Sequence, residues 1–158
     1  MRFNYQDSQT RACAAGVERI IAVIAAGANN VVSLKRLSIF GDSNDGNDKP
    51  LPIKIYRRDS GTVSNGAAVT GVPAIPGVTA TPRPTVTMDN GGTAIAITGG
   101  TNTLFEAHAA IPQGEMEVYE VPLRDVIQST VGGLLVITAT PVSGGNAANL
   151  CVGLTVED

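Results

Sequence analysis

The sequence predicts an all-β fold: a single-domain, jelly-roll-like antiparallel β-sandwich of about eight strands, preceded by an extended N-terminal arm. Three observations lead there. Of 158 residues, 18 are Gly and 9 are Pro, a density that long helices do not tolerate. There is no Trp and aromatics make up 4%, so the core must be built from Val, Ile, Leu and Ala. Apolar runs of strand length recur about every 8–15 residues, separated by clusters of Gly, Pro, Asn and Asp. The length suits one domain, here 18–158, after an arm over 1–17.

The elements follow in order. Residues 1–17 show no clear period and read as the arm, with Phe3 and Tyr5 as anchors. Residues 18–25 (ERIIAVIA) are short, apolar and β-branched, a buried strand ended by Gly27 and the pair Asn29-Asn30. Residues 31–41 (VVSLKRLSIFG) alternate with a slip at Lys35-Arg36, the mark of a bulge. A polar loop over 42–50 leads to 51–58 (LPIKIYRR), which alternates as a half-buried strand.

Residues 59–61 form a turn, and Asn65-Gly66 reads as a hairpin turn. Four prolines between 73 and 84 mark an extended surface crossover. Residues 85–88, 89–92 and 93–98 read as strand, turn and strand of a second hairpin. Residues 104–111 and 115–121 are the next strands, and 122–128 suggest one helical turn. A closing hairpin joins 134–140 and 150–157 through a turn at 143–145.

Bulk properties narrow the function. Charged residues are 16%, against about 25% in an ordinary domain. So plain a surface is more often covered than bare. The net charge of −3 gives no reason to expect nucleic acid. Residues 1–58 carry nine basic and five acidic side chains, whereas 59–158 carry two and nine. That asymmetry suits head-to-tail contact between copies or docking on a charged partner. The longest apolar run, 20–28, is too short to cross a membrane, and the residues before it are too acidic and polar for a leader.

Catalytic constellations fail one after another. His108 is the single histidine, no G-x-S-x-G elbow accompanies it, and it reads as a strand residue at a surface or interface. No phosphate-binding glycine motif is present. Asp42 to Asp48 resembles a calcium loop, but the EF-hand register places Gly46 at position 5 and Ile53 at position 12, which breaks it. Glu115 and Glu117 share a strand face, yet the chain has few aromatics to stack a sugar. Cys13 and Cys151 lack partners at metal-ligand spacing. The reading is therefore no enzyme, no cofactor and no metal. Arg57 and Arg58, near Lys54, form a small basic patch that could meet the acidic half of another copy.

The order of segments carries a resemblance. An apolar opening strand is followed by KRLSIF (35–40), then IKIYRRDSGT (53–62), then an Ala/Thr/Pro/Gly-rich middle (69–84). The chain closes on LLVITAT (134–140) and LCVGLTVED (150–158). This resembles the small β-sandwich proteins that decorate or cement the capsids of tailed bacteriophages. The resemblance covers 31–158 and leaves the arm outside. It implies a virion protein, commonly a homotrimer, made in the host cytoplasm and seated on the outer capsid surface. Such a protein binds the major capsid protein and neither nucleic acid nor membrane. Arg2, Phe3, Tyr5, Arg11, Arg57 and Arg58 are the expected contact residues, the aromatics inserting into a neighbour and the arginines pairing with acids. The alternative is a receptor- or carbohydrate-binding sandwich of a tail or fibre, with its site near Asp45, Glu117 and Tyr119.

Overall fold

A computed structural model describes residues 1–6, 11–14, 16–43, 51–110, 117–120, 127–141 and 148–158. These residues hold fifteen extended segments and no helix. Eight positions along the chain build the sandwich: β1 (Arg2–Gln6), β3 (Arg19–Ala25), β4 (Ser33–Ser43), β5 (Leu51–Arg58), β11 (Asn102–Ala110), β12 (Glu117–Glu120) with β13 (Ile127–Gln128), β14 (Leu134–Ala139) and β15 (Ala148–Glu157). The rest are short: β2 (Arg11–Cys13), β6 (Thr62–Ser64), β7 (Ala67–Val69), β8 (Val72–Pro73), β9 (Thr85–Met88) and β10 (Ala96–Thr98).

The first sheet runs β12-β4-β15-β1-β8, with β13 also on β4 and β2 on β15; the second runs β11-β5-β14-β3-β9-β7. Without the short strands, the orders are β12-β4-β15-β1 and β11-β5-β14-β3. Consecutive principal strands alternate between the sheets except β5 and β11, which pair within the second sheet, and this is the strand order of a jelly roll. The bulge expected at Lys35 is present, because Thr155 pairs with Arg36 while Val156 pairs with Leu34.

The principal core lies between the sheets. It includes Phe3, Tyr5, Leu34, Leu37, Ile53, Ile55, Leu135, Ile137, Val152 and Leu154. A second core covers the outer face of the second sheet. There Val23, Leu134 and Val136 pack with Ile95, flanked by Val63 and Ile97 of the two-stranded β10-β6 unit. Every residue of β14 is therefore buried, which explains why LLVITA is apolar without alternation.

That second core comes from the long insertion between β5 and β11. The insertion also seals one side of the sandwich, since β8 pairs with β1 while β9 pairs with β3 and carries β7. It overturns both hairpins expected within it. Asn65 and Gly66 do adopt left-handed backbone, at φ 62° and 77°. Yet β6 leaves for β10 and β7 for β9, so the turn is a corner between layers. Residues 89–92 likewise do not join β9 to β10 as a pair; burial of Asp89 against Arg19 sends the chain outward instead.

The arm is also corrected. Arg2–Gln6 is a strand of the first sheet, antiparallel to β15 from Arg2↔Glu157 to Gln6↔Gly153. Its physical basis is the alternation R-F-N-Y-Q, with Phe3 and Tyr5 pointing inward at 1% exposure each. Arg11–Cys13 pairs with β15 as well. Of the segment expected to turn helically, 122–126 lies outside the described residues and Ile127–Gln128 is strand.

Tyr5 is a titratable group within this core. Its hydroxyl donates to the Pro84 carbonyl at 3.5 Å, and its ring lies so close to Gly71 that a Cβ there would sit 2.6 Å from Cζ. Burial, with a smaller contribution from the Asp158 carboxylate, pushes its pKa up to about 12 from an ordinary 10.0. Because the folded value is raised, the associated stability is complete below pH 10 and is lost as pH rises through 12. Denaturant midpoints measured across that interval should fall by the equivalent of about 2–3 kcal/mol. A Tyr5→Phe variant should lack that portion of the decline.

Candidate functional site

The sealed side of the sandwich leaves the opposite side as the place where a contact surface can form. Among the described residues, β11 pairs only with β5 and ends the second sheet. Its backbone edge is a template for another chain. Leu104 is 53% exposed and Phe105 37% exposed on this strand. The Arg57 guanidinium lies 4.5 Å from the centre of the Phe105 ring, a cation–π contact that holds the ring at the edge.

A bulge shapes this edge. Leu104 pairs with Tyr56 and Glu106 with Ile55, leaving Phe105 as the extra residue. Without it, Leu104, Glu106 and His108 would share one face. With it, Glu106 and His108 stand opposite the buried Ile55 and Ile53 and point toward the sandwich interior. His108 Nε2 lies 2.8 Å from Glu106 Oε1, and the side chains are 7% and 11% exposed. His108 is a strand residue, as expected, but its side chain faces inward rather than the open surface. Inward-pointing ionisable groups and a bulge on an edge strand both restrain indiscriminate sheet extension. Strand alternation alone could not reveal this pair, because the bulge reverses the faces.

The six expected contact residues separate into three groups. Phe3 and Tyr5 are core residues of this chain and do not reach a neighbour. Arg57 and Arg58 are committed to their own fold. Arg57 Nε donates to the Gln128 carbonyl at 2.7 Å. Arg58 donates to the carbonyls of Ser60 and Gly99 and, at 2.8 Å, to Asn102 Oδ1. These bonds tie the base of the insertion to β5. Arg2 is 60% exposed beside Glu157 at 3.6 Å, and Arg11 lies opposite Leu150 in β2.

Ionisable groups elsewhere join elements. Glu18 Oε1 accepts from Tyr56 Oη at 2.7 Å and Thr138 Oγ1 at 2.8 Å, and lies 3.5 Å from Lys54 Nζ. Burial pushes the Glu18 carboxyl up, but the Tyr56 and Thr138 bonds and the Lys54 charge together hold it below the ordinary carboxylate range. Burial, then the Glu18 bond and charge, raises the Tyr56 phenol. Asp89 has no exposed surface and receives the Arg19 guanidinium through both oxygens.

Glu117 and Tyr119 of the alternative carbohydrate site lie in β12, while Asp45, Glu115 and most of the 42–48 loop fall outside the described residues. Cys151 lies in β15, opposite Phe40 of β4. Among the described residues, no group of three His, Cys, Asp or Glu is arranged to hold a metal, and no helix is long and apolar enough to cross a membrane. Comparison with protein-family models, curated proteins and solved structures gave no match.

Proposed function

We propose that this chain is a virion structural protein, a capsid decoration or cement protein that binds the major capsid protein lattice on the outer surface of the head. The observation that carries the reading is the asymmetry of the sandwich. Its own insertion closes one side, while the other ends on β11, with Leu104 and Phe105 exposed beside a strand edge that no other described strand pairs with. The order of segments, already similar to capsid-decorating sandwiches, is supported by a jelly-roll strand order.

The mechanism is contact rather than turnover. Apolar burial contributes about 25 cal/mol per Å² before association costs are subtracted. Repetition over a fixed lattice multiplies a modest contact into a durable one. The homotrimer implied by the resemblance would add that multiplicity within each bound unit.

The test is co-sedimentation with expanded heads of the phage that encodes the chain, followed by thermal melting of those heads. Wild-type protein should bind in stoichiometric amounts and raise the melting temperature. Leu104→Asp changes an exposed side chain and should leave the fold within about 0.5 kcal/mol of wild type. The same variant should weaken head binding about tenfold or more. Wild-type protein that never sediments with heads overturns the reading.

A further inference from the structure

We propose that Asn90 is a self-modification site. The Gly91 backbone nitrogen attacks the Asn90 carboxamide, ammonia leaves, and hydrolysis of the resulting succinimide gives aspartate or isoaspartate. This inference rests on the geometry of one turn and not on the capsid reading. Asn-Gly is the dipeptide most open to this reaction, because glycine has no side chain to crowd the attacking nitrogen and its backbone is permissive. The pair occurs twice in the sequence, at 65–66 and at 90–91. Sequence alone does not distinguish the two.

The fold does. Asn65 and Gly66 join β6 directly to β7. Asn65 Nδ2 donates to the Ala94 carbonyl at 3.1 Å, so the group that would have to leave is tethered. Gly66 is tightly packed: a Cβ there would lie 2.8 Å from the Met88 carbonyl oxygen and 2.9 Å from the Ile95 and Thr87 side chains. That corner has no room to bring the Gly66 nitrogen onto the Asn65 carboxamide. Asn90 sits differently. It is exposed, as are Gly91 and Gly92, and 89–95 belong to no strand. Among the described residues no acceptor holds its amide nitrogen.

Two hydrogen bonds of this turn fall on the reacting atoms. The Gly91 N–H donates to Asp89 Oδ1 at 3.0 Å, and the Gly92 N–H donates to Asn90 Oδ1 at 3.1 Å. The first lies on the proton that must be lost, while the π electrons that attack stand perpendicular to it. The second lies on the oxygen that becomes negative in the tetrahedral intermediate. Arg19, bound to both oxygens of Asp89, fixes that carboxylate in place. The step balances without an oxidant or reductant. A bond forms from Gly91 N to Asn90 Cγ, and the N–H proton passes to Asp89 Oδ1. The Cγ–Nδ2 bond then breaks, and the departing nitrogen takes that proton as ammonia. Water opens the ring at the side-chain carbonyl to give aspartate, or at the main-chain carbonyl to give isoaspartate. Either product adds a negative charge next to the Arg19–Asp89 pair. Isoaspartate also adds a carbon to the main chain, one residue beyond the point where Asp89 N donates to the Ile21 carbonyl.

The test is incubation of the full chain at neutral pH, folded and in urea, with peptide mass spectrometry to follow amide-to-acid conversion and isoaspartate at each site. In the folded chain Asn90 should convert at least about tenfold faster than Asn65. In urea the two rates should become alike, with Asn90 no faster than it is in the folded chain. Asp89→Asn keeps the shape of the acceptor but not its charge, and should slow conversion at Asn90 about tenfold. Gly92→Pro, which lacks the N–H on Asn90 Oδ1, should slow it as well and serves if Asp89→Asn does not fold. Circular dichroism establishes that each variant is folded. Equal rates at the two sites in the folded chain, faster conversion of Asn90 in urea than in the folded chain, or a folded variant converting at or above the wild-type rate overturns the proposal. Head binding is a separate measurement, so failure of one reading leaves the other standing.

Discussion

Replacing Arg19 with Met is expected to lower stability by about 3–5 kcal/mol, because it leaves a buried carboxylate without its charge partner. Asp89 has no exposed surface, whereas the Arg19 side chain is 18% exposed. The two oxygens of Asp89 receive Nε and Nη2 of Arg19, and Oδ1 also accepts the Gly91 N–H at 3.0 Å. The neutral Gly91 N–H does not replace the charge of a guanidinium at a carboxylate with no exposed surface. The reciprocal change should be milder. Asp89→Asn keeps the shape, and Arg19 retains the Gly92 carbonyl at 3.2 Å and a path to solvent. Its expected cost is about 1–3 kcal/mol. Urea unfolding of the two variants checks the order, and an equal or larger loss for Asp89→Asn would show that the carboxylate does not dominate. The pair also secures the insertion. Asp89 N donates to the Ile21 carbonyl at 3.1 Å, where β9 joins β3. Amide exchange in β9 should therefore accelerate before the rest of the sandwich opens.

The role of Asp89 shows where sequence reading stops. As part of Asp-Asn-Gly-Gly it is indistinguishable from a solvated turn former, and local chemistry favours the hairpin. The deciding partner, Arg19, lies 70 residues away. Leu51–Arg58 and the strand over 150–157, by contrast, were legible because their alternation reports one wet and one dry face. The closing hairpin expected between 134–140 and 150–157 does not form, since β14 and β15 lie in different sheets. The bulge at Lys35 was legible for the same reason, since it breaks an otherwise regular period. Strands β3 and β14 announce burial but not what buries their second face, and the β6-β10 layer that does so has little pattern of its own. The exposed apolar edge on β11 was missed because its bulge moves Glu106 and His108 inward and leaves Leu104 outside.

The double substitution Phe3→Ala and Tyr5→Ala should abolish folding rather than merely weaken association. A detached arm would tolerate both changes, leaving unfolding unaltered and only partner binding reduced. The structure places both rings in the principal core at 1% exposure, between β15 on one side and the β8 segment on the other. Truncating a buried aromatic ring to Ala costs about 3–5 kcal/mol through lost transfer energy and the cavity left behind. Two such losses on one strand are comparable with the whole stability of a domain, about 5–15 kcal/mol. The loss of β1 would also uncover a long edge of β15, whose register with β1 runs over five pairs. An exposed edge of that length favours aggregation. Soluble yield, circular dichroism and urea unfolding measure the outcome directly. The exposed neighbour provides the contrast: Arg2→Ala removes a side chain 60% exposed and should change stability by no more than about 0.5 kcal/mol. A double variant that unfolds like wild type would mean that β1 does not hold the sandwich together.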